Sequence, residues 1–374
     1  MNTNAAPTDE ATDVLAEVHG HVGLITLNRP KALNALSLSM IRTLTQRLLA
    51  WRDDPAVAAV AIRGTGKTGP FGAFCAGGDI RFFHQAARDG NSQLEDFFTE
   101  EYVLNHLIQT YPKPYIAFMD GIVMGGGMGI SQGAKIRVVT ERTRMAMPET
   151  NIGLFPDVGG GYFLSRCPGR TGEWLALTGE MIGAGGALAY GLADTCFDPA
   201  RLASAWDALA TTDFDKPGAI DFWLAMFSIA EPEYLTTATR KIDQYFSLSS
   251  VLDIVRALEA DGDDWAQHTA AILRKRSPLM LHVVLAQIRR ARHMTLSDDL
   301  RMERDLVHHC FNPRHLGRSA SGSETVEGIR ALAIDKDNKP RWNPPRIEDI
   351  TDDMVAPFFI SPWTPEAHPL HELG

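Results

Sequence analysis

The chain has 374 residues, 45% hydrophobic and 22% charged, a composition that supports a substantial buried core in two domains or in one large domain with an appendage. A formal net charge of −10 argues against a general nucleic-acid or anionic-membrane surface, so any anion site must be local. Cys75, Cys167, Cys196 and Cys310 show neither CxxC nor Cys/His metal spacing. They read as reduced residues of a cytoplasmic-type compartment, and no structural metal is expected. The opening MNTNAAPTDEATD is polar and acidic, and no arginine precedes Arg29, which argues against secretory or mitochondrial targeting. No apolar run reaches transmembrane length.

In chain order, Val14 to Val18 and Val22 to Leu27 read as a hairpin turning at His19-Gly20, and Asn28-Arg29-Pro30 stops its second strand. Leu38, Ile41, Leu44, Leu48 and Trp51 recur at helical spacing, with Ser37 as the N-cap. A strand follows at Val57 to Ile62. Gly66-Lys67-Thr68 then resembles a nucleotide phosphate loop, but Ala61 stands where that motif needs its first glycine and Gly69-Pro70 breaks the required helix. The same break defeats the GxGxxG spelled by Gly64, Gly66 and Gly69. Phe74 to Ile80 is a small-residue run ending in Asp79, able to present a backbone N–H and then start a helix. Ser92 to Thr110 reads as a long helix whose acidic half (Glu95, Asp96, Glu100, Glu101) is, on its plainest reading, a solvated face.

The stretch Pro114 to Asp157 organises the rest. Tyr115 to Met119 suits a buried strand, and Gly125, Gly126, Gly127 and Gly129 follow it, ahead of a segment, Met128 to Ala134, that can be helical. A glycine run at a helix N-terminus leaves backbone N–H groups without partners and lets a carbonyl approach them, which is what an oxyanion requires. Glu149 and Asp157 come next, each directly after a proline. Taken singly, the triplet reads as a turn or a close packing contact and the two carboxylates as caps. Gly159-Gly160-Gly161 leads into a helix through Arg166, Thr171 to Gly191 into two short helices, and Ala193 to Phe197 into a strand. From Pro199 the pattern is helical. The expected organisation is residues 1–210 as the core with the site, 211–337 as a helical region, and 338–374 as an extended proline-rich tail wrapping the body.

Together NRPKALNAL (28–36), FCAGGDI (74–80), GIVMGGGMG (121–129) and MPETNIGLFPDVGGGYFL (147–164) resemble the crotonase superfamily. The branch that hydrolyses 3-hydroxyisobutyryl-CoA matches best, and EEYVLN (100–105), LALTGE (175–180) and EGIRALAIDKDNKPRWNP (327–344) extend the match over most of the chain. The resemblance implies an α/β spiral of ββα repeats with a helical C-terminal region. It implies hydrolysis of a short branched 3-hydroxyacyl-CoA, as in valine degradation, with no metal or redox cofactor because coenzyme A belongs to the substrate. Gly78 and Gly126 would form the oxyanion hole, with Glu149 as catalytic carboxylate, Asp157 as its acidic partner and Glu101 lining the acyl pocket. Lys31, Ala32 and Leu33 with Ala76, Gly77, Gly78 and Asp79 would contact coenzyme A, and Lys31 or Arg81 would suit its phosphates. The expected partner is acyl-CoA, not nucleic acid or membrane, with a homo-oligomer left open. Two departures stand out. Enoyl-CoA hydratases carry a second glutamate two residues after the triplet, where this chain has Gly129, and the stretch 311–323 is longer and more polar than the family's usual link. The alternatives are an enoyl-CoA hydratase or isomerase, and a noncatalytic subunit on the same fold, against which the presence of both Glu149 and Asp157 argues.

Overall fold

The structure is a computed structural model that describes residues 13–214, 216–230 and 237–374; the segment 1–12, on which the targeting expectation rests, lies outside them. Strands β1 (Val14–His19) and β2 (Val22–Leu27) form the expected antiparallel hairpin. Helix α1 (Leu38–Asp53) starts at Ser37, whose hydroxyl accepts from Met40 N, and buries the apolar stripe read from the sequence. Strand β3 (Ala59–Gly66) runs past the expected end at Ile62, because β4 (Gly69–Pro70) folds back antiparallel onto it and pairs Gly69 with Gly66. The segment that resembled a phosphate loop is therefore a hairpin turn, with no helix behind it.

There follow α2 (Ile80–Asp89), α3 (Gln93–Gln109), β5 (Tyr115–Met119), β6 (Ile122–Met124), α4 (Gly126–Gln132), β7 (Ile136–Val139) and β8 (Arg144–Ala146). Then come α5 (Gly160–Leu164), α6 (Thr171–Thr178), α7 (Ala184–Ala189) and β9 (Thr195–Cys196). The large sheet has the order β1-β2-β3-β5-β7-β9, parallel from β2 onward, and β6 pairs with β8 in a second, two-stranded parallel sheet. Successive turns thus place one strand in the large sheet, a short one in the small sheet and a helix after it, which is the α/β spiral. Strands β6, β7 and β8 span only three or four residues. That is too short for period-two alternation to register, and the sequence reading passed over them.

Both faces of the large sheet are covered. Tyr115, Ala117 and Met119 of β5 face the main core, while Ile116 and Phe118 face a second cluster with Trp206, Trp223 and Phe227. Burial on both faces explains why β5 is apolar at every position. Helices α8 (Leu202–Leu209) and α9 (Ala219–Phe227) supply that second cluster, and Trp223 Nε1 donates to Ala205 O at 3.0 Å. Packing therefore runs through residue 210, where the composition changes. The remaining helices are α10 (Thr237–Phe246), α11 (Val251–Ala260), α12 (Asp264–Leu273), α13 (Pro278–Ala291), α14 (Leu296–Phe311) and α15 (Glu324–Ile329), which continues into a π-helical turn at Arg330–Ile334. Short 3-10 turns at Arg314–Leu316 and Ala320–Gly322 fill the polar link before α15, and Ser323 caps that helix. In the tail, Ile347, Phe358 and Leu370 are buried against the body around α16 (Asp352–Val355).

Asp120, buried at the end of β5, ties the spiral's corners together. It accepts from Gly72 N at 2.6 Å and Thr140 Oγ1 at 2.5 Å, and takes Arg142 in a two-pronged bond at 3.0 and 2.6 Å. Replacing it by alanine leaves those donors unpaired. Asp120→Ala is expected to lower unfolding free energy by about 3 kcal/mol, read as a shifted urea midpoint.

Candidate active site

The two loops expected to serve one purpose lie side by side. Ala76 N donates to Leu33 O at 3.0 Å, Leu36 N to Gly77 O at 2.8 Å and Asp79 N to Leu36 O at 3.0 Å, so the 31–36 and 76–79 segments form one ladder. Asn34, wholly buried with φ 57°, holds this ladder to the sheet: its amide donates to Thr65 O, Ala73 O and Phe74 O, and its oxygen accepts from Arg29 N. In the sequence Asn34 is only one letter of the stretch NRPKALNAL. Arg29 reaches across to Asp79 at 3.0 Å, and Asp79 also caps α2 by accepting from Phe82 N. The Asp79 carboxylate thus already has two partners.

Each glycine of the triplet has its own reason. Gly125 adopts φ 48°, ψ −120°, a backbone open only to glycine, and it is the N-cap of α4. A methyl group on Gly126 would sit 2.6 Å from Glu101 Oε1 and 3.4 Å from Gly78 N, so the Gly126 backbone lies beside both. A methyl on Gly127 would sit 2.4 Å from Cys75 O, which is a packing requirement. The helix begins at Gly126, two residues ahead of the segment read as helical, and its first N–H has no partner inside the helix. Among the described residues neither Gly78 N nor Gly126 N donates to a backbone carbonyl. Two adjacent donors with no backbone acceptor are what an oxyanion site consists of.

Three carboxyl groups close on these donors. Glu149 opens a 3-10 turn (Glu149–Ile152), and its Oε1 lies 2.7 Å from where a methyl on Gly125 would be. Glu101 faces inward from the middle of α3 and is 2% exposed, which overturns the plain reading of that acidic stretch as wholly solvated. Asp157 accepts from Tyr102 OH at 3.0 Å. Tyr102 was not singled out from the sequence, although it adjoins Glu101. Glu101 Oε1 and Glu149 Oε2 are buried without a protein partner. Burial, then the neighbouring Asp157 and Glu149, holds Glu101 well above the usual carboxylate range. Burial and then Asp157 do the same to Glu149. Burial pushes Asp157 up to about 7 against the Tyr102 hydrogen bond, which pulls it down. The cluster therefore retains protons near neutrality.

These groups line a cavity of about 200 Å³, shared with Ile80, Phe83, Met124, Ile152, Leu154 and Leu332. Ala76, Gly77, Gly78, Gly126, Glu101, Glu149 and Asp157 all border it. Lys31, Ala32, Leu33, Asp79 and Arg81 do not; Lys31 and Arg81 are exposed outside it. Leu332, on the π-helical turn, comes from a segment that the sequence reading tied to the family but to no role in the site.

The enoyl-CoA hydratase/isomerase family model matches residues 22–359, and the chain belongs to that family. The 3-hydroxyisobutyryl-CoA hydrolase, mitochondrial, of Gallus gallus is 40% identical over 358 residues, covering 94% of this chain and 90% of its own length. The human protein of the same name is 38% identical over 360 residues, with 95% and 90% covered. Among solved structures, a carnitinyl-CoA dehydratase from Mycobacterium thermoresistibile is similar with a TM-score of 0.86 at 38% identity, covering 96% of this chain and 99% of that one. An enoyl-CoA hydratase from Rhodobacter sphaeroides gives 0.84 at 35%, with the same coverage. The names of the vertebrate relatives carry a mitochondrial label, which lends the cytoplasmic expectation no support. Among the described residues no helix is long and apolar enough to cross a membrane.

A buried carboxyl raised from 3.8 to about 7 favours the folded state while it is protonated. That contribution is complete below about pH 4 and is lost as pH rises through 7. Asp157→Asn, which keeps an acceptor for Tyr102 OH without the charge, is expected to stabilise the protein above neutrality by a few kcal/mol, and hardly at all at pH 4. Melting temperatures of both proteins at pH 4 and pH 8.5 check this.

Proposed function

We propose that the chain hydrolyses a short branched 3-hydroxyacyl-CoA thioester, best 3-hydroxyisobutyryl-CoA, to the free acid and coenzyme A. One observation carries the choice of reaction. At Gly129, where the hydratases have their second glutamate, a methyl group would sit 2.6 Å from Val158 Cβ and 2.9 Å from Asn105 Nδ2. No second carboxylate fits there, and in hydratases two carboxylates orient and deprotonate the water that adds to a double bond. The substrate named for the vertebrate relatives suits the remaining groups. A cavity of about 200 Å³ matches a small acyl group, and the unpartnered Glu101 Oε1 is an acceptor for its 3-hydroxyl. The Lys31–Leu33 segment and Arg81 lie outside the cavity, where the long coenzyme A moiety would run. The place in valine degradation rests on the relatives' names, and the reducing compartment on four cysteines that are all unpaired and buried.

With the proton that the buried pair retains placed on Asp157, Glu149 as carboxylate adds to the thioester carbonyl carbon, and the carbonyl oxygen becomes an oxyanion held by the N–H groups of Gly78 and Gly126. Collapse breaks the C–S bond; the departing thiolate takes a proton from Asp157, and the acyl group remains on Glu149 as a mixed anhydride. Asp157, now a carboxylate, takes a proton from a water molecule as its oxygen adds to the acyl carbon. Cleavage of the anhydride then returns Glu149 as carboxylate and releases the acid. Cys75 is not a competing nucleophile, because burial pushes its thiol up to about 12. The scheme uses no metal or redox cofactor.

Thiol release from 3-hydroxyisobutyryl-CoA should far exceed hydration of crotonyl-CoA; efficient hydration with negligible thiol release overturns the assignment. Glu149→Gln and Asp157→Asn should each lower kcat by roughly a hundredfold or more, and the double variant by no more than the worse single one. Borohydride added during turnover should leave a stable mass change on the peptide containing Glu149. Verified turnover without that mark would make Glu149 a general base acting through water.

A further inference from the structure

Val158, directly after Asp157, holds φ 57° although it is β-branched. It is buried, with its Cβ against the Gly129 backbone. A backbone of this kind persists only where its surroundings impose it. Here they do so from both sides. Gln287 of α13 donates to Pro156 O at 2.7 Å, ahead of Asp157. Behind it, Gly159 N and Gly161 N donate to the two oxygens of Glu303 on α14 at 2.7 and 2.9 Å, and Tyr162 N donates to Asp299 at 2.7 Å. Gln287 also donates to Glu303 at 3.2 Å, joining the two clamps. Asp299 and Glu303 are wholly buried one helical turn apart. Two carboxyls shut away together are costly, and the chain bears that cost where one side chain must accept from two N–H groups through two oxygens.

We propose that Glu303, supported by Gln287, is a positioning residue for thioester hydrolysis, fixing the 156–161 backbone so that Asp157 meets the acyl cavity. This rests on the hydrolase reading above. Burial, then Asp299 and Asp157, hold Glu303 well above the usual carboxylate range. The other titratable groups around Asp157 are Glu101 and Tyr102 of α3, Glu149, and Cys310 of α14.

Two variants of the full chain separate positioning from bulk stability. Glu303→Gln keeps the shape but sets an amide donor against one of the two N–H groups; Gln287→Met removes the bonds to Pro156 and Glu303 and leaves the carboxyl in place. Each should lower kcat by about ten- to a hundredfold, the scale of a misplaced catalytic group, with KM changed by no more than about twofold. The acid limb of the kcat profile, which reports ionisation of the carboxyl cluster, should move to lower pH in both variants, because a displaced Asp157 no longer opposes ionisation of Glu149. A folded Glu303→Gln protein with wild-type kcat and pH profile overturns the inference. So does a kcat loss that follows a falling melting temperature with the acid limb fixed. If Glu303→Gln does not fold, wild-type kcat in Gln287→Met overturns it equally. Absence of thiol release by the wild-type protein would instead remove the hydrolase reading and this inference with it.

Discussion

Three carboxyl groups buried within reach of two backbone N–H donors define what the rest of the chain must do. Carboxyls crowded in a dry cavity repel one another and resist ionisation, so nothing local gathers them. Glu101 arrives on a long helix, Glu149 on a turn set by Pro148, and Asp157 on a loop between Pro156 and a strained Val158. The spiral supplies the force that brings them together. The central strands of its large sheet are buried on both faces, and the hydrophobic gain from layers such as Phe118, Trp206 and Trp223 outweighs the electrostatic cost at the site.

The same arrangement explains why the chemistry is available near neutrality. A group that ordinarily ionises near pH 4 keeps its proton when buried beside like charges, so one carboxyl can serve as acid while its neighbour serves as base or nucleophile. Binding a thioester supplies what is missing. In the proposed reaction its carbonyl oxygen takes the unused N–H groups of Gly78 and Gly126, and its 3-hydroxyl the unpartnered oxygen of Glu101.

Much of this was legible in the sequence because it is carried by residues whose type leaves few alternatives. A glycine triplet after an apolar strand, and two carboxylates each placed by a proline, mark in the sequence the stretch that the fold brings to one cavity, although each alone reads as a turn or a cap. The hairpin, α1 with its Ser37 cap and β5 followed directly from periodicity and capping chemistry. What escaped was of two kinds. Strands of three or four residues carry too little pattern to register. Contacts between distant segments carry none: Glu303 meets Gly159 across 144 residues, and its letter differs in no way from that of any surface glutamate on a helix. Asn34 and Tyr102 were hidden similarly, because their role lies in what they touch.

Leu332 has a consequence for how the enzyme comes into being. It reaches the acyl cavity from the π-helical turn after α15, while Gly328, just before that turn, packs directly on the backbone of Ile152 beside Glu149. The residues proposed for catalysis all lie at or before 157, yet part of the chamber wall comes more than a hundred residues later. Translation therefore delivers Glu101, Glu149 and Asp157 well before the residue that walls their cavity, and a chain cut short of residue 332 would lack that wall.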